Sequence, residues 1–91
     1  MFPATVRALV DLDAVPILRM LVGTRLRVGG TPDGERVGVE VDGPSPEVVA
    51  AQIAGLGARL EVLEPPEARE QLARLAAELS LVYSGQADPG V

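Results

Sequence analysis

The stretch TRLRVGGTPDGERVGVEV, from Thr24 to Val41, contains two runs of alternating apolar and polar residues with turn-forming residues between them. Strict alternation is typical of β-strands that bury one face, and a cluster of glycine, proline and aspartate between two such runs indicates a hairpin. The pattern therefore predicts strands at 24–28 and 35–41, joined by a loop of about six residues. The three valines of the second strand carry its apolar face.

A further strand and a helix are predicted on the N-terminal side of this hairpin. Residues 4–10 alternate, and Asp11 and Asp13 are candidate N-caps for a helix that ends at Gly23. The apolar residues of this helix recur at a spacing of three and four, which predicts that they face the core. They are Ala14, Ile17, Leu18, Leu21 and Val22.

On the C-terminal side, the segment Asp42-Gly43-Pro44 is expected to break the strand. Ser45 is then a good N-cap for a second helix, which ends at Gly57, and residues 58–63 alternate as a fourth strand. Pro65-Pro66 opens a third helix, predicted to run through about Tyr83. Its apolar stripe consists of Ala68, Leu72, Leu75, Ala76, Leu79, Val82 and Tyr83.

The resulting order of elements, β-α-β-β-α-β-α, predicts an α+β, ferredoxin-like βαββαβ sandwich with an added C-terminal helix. The first two helices should cover one face of a four-stranded antiparallel sheet and leave the other face open. A single domain is expected over residues 1–84, with a flexible tail at 85–91. The third helix then needs another surface, which could be the sheet edge, the open face or a second subunit. Its predicted interface residues are Leu72, Leu75, Leu79 and Tyr83.

Composition removes most catalytic chemistry. The 91 residues include no cysteine, histidine or lysine, so no disulfide, imidazole base, thiol nucleophile or Cys/His metal site is available. We expect neither an enzyme nor a cofactor or metal site. The longest apolar run is about five residues, against about 20 needed to span a bilayer, and no secretory signal is recognisable. We therefore expect a cytoplasmic protein that does not contact membranes.

Five of the eight arginines are predicted to lie opposite the core-facing strand residues, namely Arg7, Arg25, Arg27, Arg36 and Arg59. One interpretation is an anion-binding site formed by Arg25, Arg27 and Arg59. The other is a solvated or domain-docking face on which Glu40 and Glu61 pair with arginines across the strands. The net charge of −5 opposes bulk binding of nucleic acid, so such binding should be weak at most.

The segment EVLEPPEAREQLARLAAELSLVY, Glu61 to Tyr83, resembles the end of the C-terminal extension, called WCX, of WYL-domain transcriptional regulators. In that family a Val-Leu strand runs into a Glu-Pro-Pro-Glu turn and then into an Arg-Glu-x-Leu helix that ends near Leu-x-Tyr. Here these elements are Val62-Leu63, residues 64–67, residues 69–72 and residues 81–83. The hairpin and helix between 35 and 57 also look like that domain.

The resemblance implies a regulator in which a helix-turn-helix reads DNA, a WYL domain senses a signal, and the C-terminal domain dimerises or closes over the sensor. This chain contains no helix-turn-helix and no tryptophan, so no DNA-reading or WYL residue can be assigned in it. The implied function is a non-enzymatic module for effector response and dimerisation, partnered by a second copy or by the WYL and helix-turn-helix portion. The alternative is a stand-alone ferredoxin-like module that binds a ligand or oligomerises. An acylphosphatase-type enzyme would need an asparagine, and the chain has none.

Overall fold

The main elements follow the order β-α-β-β-α-β-α in the chain, which is described for residues 3–30 and 34–84 in a computed structural model. Three short 3₁₀ segments lie between the main elements, at Leu12–Ala14, Gly23–Arg25 and Ala54–Arg59. The predicted tail at 85–91 lies outside the described residues. The main elements are β1 (Ala4–Asp11), α1 (Val15–Val22), β2 (Leu26–Val28), β3 (Arg36–Gly43), α2 (Pro46–Ile53), β4 (Leu60–Glu64) and α3 (Pro66–Tyr83).

The four strands form one antiparallel sheet in the order β2-β3-β1-β4. The central pair has Val6 opposite Val41 and Val10 opposite Val37, so the alternating valines of both strands share one face. Helices α1 and α2 cover that face, and the opposite face carries the polar residues of the alternation. This arrangement confirms the predicted ferredoxin-like fold with an added C-terminal helix.

The core consists only of apolar side chains, with Leu18 of α1 and Ile53 of α2 the largest that are fully buried. No polar or charged side chain is buried within the described part of the chain. Hydrophobic burial is therefore the main favourable contribution to folding, because the core holds no buried polar network to add to it. The core residues are Val6, Ala8, Val10, Ala14, Leu18, Val22, Leu26, Val37, Val39, Val41, Val49, Ala50, Ile53, Leu56, Leu60, Val62 and Ala68.

Helix α1 begins differently from the prediction. Asp11 is the last residue of β1 and does not cap the helix, because its carboxylate accepts a hydrogen bond of 3.0 Å from Arg36 Nε. The chain turns through the 3₁₀ segment instead, and Pro16 lies in the first turn of α1. The predicted core stripe is also too wide, since Ile17 and Leu21 are 39% and 47% exposed. A helix of eight residues rests on the sheet along one narrow stripe, which leaves its flanks to solvent.

Strands β2 and β3 also differ in length from the prediction. Strand β2 has three residues rather than five, because the 3₁₀ turn after α1 takes up residues as far as Arg25. Strand β3 continues through Gly43, where a break was expected, and pairs there with Ala4. Gly43 is buried, and a Cβ atom at this position would collide with Cγ2 of Val49 on α2. The glycine therefore permits close packing of helix on strand rather than ending the strand.

The second helix confirms its predicted cap, because Ser45 Oγ accepts a hydrogen bond of 3.1 Å from the backbone N–H of Val48. The α-helix ends at Ile53 and continues as a 3₁₀ segment to Arg59, so β4 begins two residues later than predicted. Helix α3 has the predicted end at Tyr83 and packs against α2 and β4.

Two halves of the chain repeat one local pattern. Residues Val6–Asp11 and Val37–Asp42 share the form Val-x-Ala/Val-x-Val-Asp, and Gly23–Val28 and Gly57–Val62 share Gly-Thr/Ala-Arg-Leu-x-Val. The glycine that begins each latter segment has φ near +59° and ψ of −132° in both halves. The pairing matches as well, since each second strand pairs with the first strand of the other half. The fold is therefore a β-α-β unit used twice, followed by α3.

Candidate functional site

An apolar groove runs between α3 and the edge strand β4 and has a volume of about 490 Å³. One wall is formed by Leu60 and Val62 of β4, and Ala54 and Gly57 contribute from the 3₁₀ segment after α2. The other wall is the apolar stripe of α3, namely Leu72, Leu75, Ala76 and Leu79. Three of the four predicted interface residues therefore lie together in one groove.

The apolar stripe of α3 is only partly covered by its own chain. Ala68 is fully buried and Leu72 packs against the core, but Leu79 and Val82 are 54% and 53% exposed. Tyr83, the fourth predicted interface residue, lies beyond the groove and is 64% exposed. The second half of α3 thus presents an apolar surface that the described part of this chain does not bury.

Arg69 lines the groove and connects α3 to β4. Its Nη1 donates a hydrogen bond of 2.6 Å to the backbone carbonyl of Val62 on β4. An edge strand otherwise offers unpaired backbone groups to any other strand. The arginine satisfies one of these groups, so side chains rather than backbone dominate the groove.

The three arginines predicted to form an anion site do not converge. Arg27 lies on β2 at one edge of the sheet, and Arg59 precedes β4 at the opposite edge. Arg25 does not lie on the open face, which corrects the prediction. It precedes β2, and its guanidinium donates to the Asp42 carbonyl at 3.0 Å and to Gln52 Oε1 of α2 at 2.9 Å. The strand alternation misled here because the 3₁₀ turn rotates Arg25 toward the helices.

On the open face, cross-strand charges form an alternating row. The register places Arg27, Glu40, Arg7 and Glu64 side by side on β2, β3, β1 and β4. Arg27 pairs with Glu40 at 2.9 Å and also with Asp42, and Arg7 pairs with Glu64. The expected cross-strand role of Glu40 is thus confirmed. Because two arginines alternate with two carboxylates, the row has no net positive charge to attract a polyanion.

Asp42 has a shifted acidity within this set. The Thr5 hydroxyl donates a hydrogen bond of 2.7 Å to its carboxylate, and Arg27 adds a second one. Both favour the charged form, so the pKa of Asp42 lies below its ordinary value of 3.8. The same contact with Asp42, followed by that with Glu40, raises the pKa of Arg27 above its ordinary value.

A second cavity lies beside the charged row, on the open face, and has a volume of about 390 Å³. Its floor is Gly38 of β3, where a Cβ would meet nothing within 4 Å. Leu9 and Leu63 add apolar walls, and we call this cavity the open-face hollow. This site was not predicted from the sequence. Its one signal was a glycine at an outward position of an otherwise regular strand.

Two further kinds of site were sought in the described residues, a metal cluster and a membrane-spanning helix. Across residues 3–30 and 34–84, histidine, cysteine, aspartate and glutamate form no group of three that could hold a metal ion. Every described helix is too short or too polar to cross a membrane.

Comparison with known proteins adds the family. A family model described as the WCX domain matches residues 3–80, which is most of the chain. The chain belongs to the WCX domain family. Searches of curated proteins and of solved structures found no match. The resemblance carried by Glu61 to Tyr83 is thus confirmed, and it extends to the first strand and helix.

The family places this WCX domain among regulator-associated C-terminal domains. The elements whose sequence carries the resemblance, β4 and α3, are also the two walls of the groove. The groove is accordingly the principal candidate site of this WCX domain, with the open-face hollow as the second.

Proposed function

We propose that this WCX domain is a non-enzymatic module of a cytoplasmic transcriptional regulator, where it dimerises and takes part in the response to an effector. Dimerisation uses the groove between α3 and β4. The observation that carries the proposal is the exposed apolar stripe on the second half of α3, continuous with the groove. Apolar surface of this kind on a small domain marks an interaction site.

A second copy suits the groove because the site has two complementary parts. Each copy offers a groove beside Leu72 and Leu75 and an exposed helix end that carries Leu79 and Val82. Helix α3 is about 27 Å long at 1.5 Å per residue, enough to lie along a partner helix in antiparallel orientation. In a two-fold arrangement each exposed end covers the groove of the other copy, and the interface closes on itself.

We expect no catalysis from this domain because of the side chains that it contains. Proton transfer near pH 7 requires a group poised near that pH, a nucleophile or a metal. The chain has no histidine, cysteine or lysine, and the groove is lined by apolar side chains together with Arg69 and Glu61. A surface of this composition favours binding over chemistry.

Oligomeric state tests the proposal. Light scattering coupled to size-exclusion chromatography should give a dimer for the 91-residue chain at about 100 μM and a monomer on dilution. Leu79→Glu should give a folded monomer, because it places a charge in the interface but disturbs no buried residue. Leu81→Glu is the matched control, since Leu81 is 83% exposed and lies off the stripe, and it should remain dimeric.

The rest of the regulator is an alternative partner for the groove. Exposed apolar residues on α1 favour further contacts with that partner outside the groove. Ile17, Met20 and Leu21 are 39%, 85% and 47% exposed. A dimer formed through α3 does not use these residues. A chain that stays monomeric at every concentration would contradict dimerisation. If Leu79→Glu then abolishes binding of an added WYL and helix-turn-helix portion, the groove is a docking site between domains.

A further inference from the structure

The open-face hollow is lined by two neighbouring charged side chains whose hydrogen-bonding capacity is only partly used. Arg7 and Glu40 stand opposite each other in the register of β1 and β3, yet no ion pair joins them among the described residues. Each side chain pairs instead with a charged residue on its other neighbouring strand. Arg7 uses Nη1 for Glu64, and Glu40 uses Oε1 for both contacts with Arg27.

These contacts leave some hydrogen-bonding atoms of both side chains without a partner among the described residues. Nε and Nη2 of Arg7 donate to no residue of the described chain, and Oε2 of Glu40 accepts from none. The two side chains are 52% and 44% exposed, so a ligand can reach them. A donor set and an acceptor thus lie on adjacent strands, which are about 4.8 Å apart.

Charge decides what can bind there. A simple anion would meet the carboxylate of Glu40, and a simple cation would meet the guanidinium of Arg7, so each gains one contact and suffers one repulsion. A molecule that carries both a carboxylate and an ammonium group satisfies both sides. An apolar body is also required, because Leu9 and Leu63 line the remainder of the hollow above Gly38.

We propose that the open-face hollow binds a small zwitterion with an apolar side chain, of the α-amino acid type. The carboxylate pairs with Arg7, the ammonium group pairs with Glu40, and the side chain rests on the backbone of Gly38. This rests on the proposed effector response and names the chemical class of the effector. The missing side chain at position 38 leaves the space that the ligand fills.

The test uses three probes with the same apolar body and the ¹⁵N-labelled full chain. L-leucine carries both charged groups, 4-methylvalerate lacks the ammonium group, and 3-methylbutylamine lacks the carboxylate. Leucine should shift the backbone signals of Leu9, Gly38 and Glu40 in a saturable manner. Each truncated probe should bind at least about tenfold more weakly, because it loses one charge-assisted hydrogen bond.

Variants locate the site. Arg7→Met and Glu40→Gln should each weaken leucine binding about tenfold or more. Gly38→Val should abolish it by filling the floor, and valine suits a strand. Two control variants outside the hollow, Arg74→Met on α3 and Gly55→Ala in the 3₁₀ segment after α2, should bind leucine like the parent chain. Circular dichroism checks that every variant is folded.

Three results would overturn the inference: no saturable shift with leucine, equal binding of 4-methylvalerate, or shifts confined to the groove beside α3. Equal binding of 4-methylvalerate would assign the hollow to anions instead. Light scattering on the same samples separates this inference from the proposed function. A dimer that does not bind leucine refutes the zwitterion site alone, whereas a monomer that binds leucine refutes dimerisation alone.

Discussion

The two β-α-β halves of this domain share a local pattern but not a surface. The first half runs from Ala4 to Val28 and the second from Arg36 to Glu64, and in each an Arg-Leu pair follows a glycine with positive φ. In the second half, α3 packs against α2 and β4. In the first half, α1 contacts the helix α2 of the other half and exposes apolar residues.

Equivalent positions in the two halves therefore have different neighbours. Leu12 and Gly43 both follow the aspartate of the shared pattern, but Leu12 is 42% exposed whereas Gly43 is buried. Arg25 is held by two hydrogen bonds, and its counterpart Arg59 forms none among the described residues. The same short sequence thus specifies the same backbone, while the neighbouring elements decide what each side chain does.

The largest expected difference between the halves is at Leu12 and Gly43. Gly43→Ala should lower the free energy of unfolding by about 1–3 kcal/mol, because the new methyl group collides with the buried and β-branched Val49. Leu12→Ala should change it by less than about 0.5 kcal/mol. Urea denaturation followed by circular dichroism measures both. Equal losses at the two positions would mean that the halves pack alike, contrary to the structure.

A smaller difference is expected between the two arginines. Arg25→Met should cost about 1 kcal/mol, since it removes hydrogen bonds to the Asp42 carbonyl and to Gln52 from a half-buried position. Arg59→Met should leave the unfolding free energy within about 0.5 kcal/mol of the parent value. The same denaturation series provides the comparison. A larger cost at Arg59 would show that this corner is held as its counterpart is.

The smallest effect concerns Asp42 and appears only in acid. Its folded pKa is below the ordinary value of 3.8, so its charged form stabilises the fold above that pH, and the stabilisation is lost as pH falls through the folded pKa. Arg27 stays protonated throughout and adds nothing to this slope. Stability of the parent chain should fall more steeply below pH 3.8 than that of Asp42→Asn. Thr5→Val should flatten the slope in part, and identical slopes for all three chains would contradict the assignment.

Sequence patterns predicted the fold well because each pattern depends on residues that are close together in the sequence. Alternating valines in β3 and the Ser45 cap of α2 depend on local geometry, and both are confirmed. Errors arose where distant residues intervened. Asp11 could have capped α1, but Arg36 lies opposite it on the neighbouring strand β3 and binds its carboxylate.

The candidate sites divide in the same way. The apolar spacing of α3 identified Leu72, Leu75 and Leu79 as a set, although not the wall of β4 that completes their groove. The arginine set was less successful. Outward positions can be read from alternation, but the cross-strand register pairs Arg27 with carboxylates, and the twist of a 3₁₀ turn moves Arg25 away.

By itself the sequence determined the order of the elements, most of the core and the family, because hydrophobic periodicity, caps and turn residues act over a few positions along the chain. Only the tertiary structure decided which surfaces remain free. The strand order brings Arg7 next to Glu40, and the position of α3 creates a groove along β4. Both depend on contacts between segments far apart in sequence, and no local pattern encodes which partner a side chain will meet.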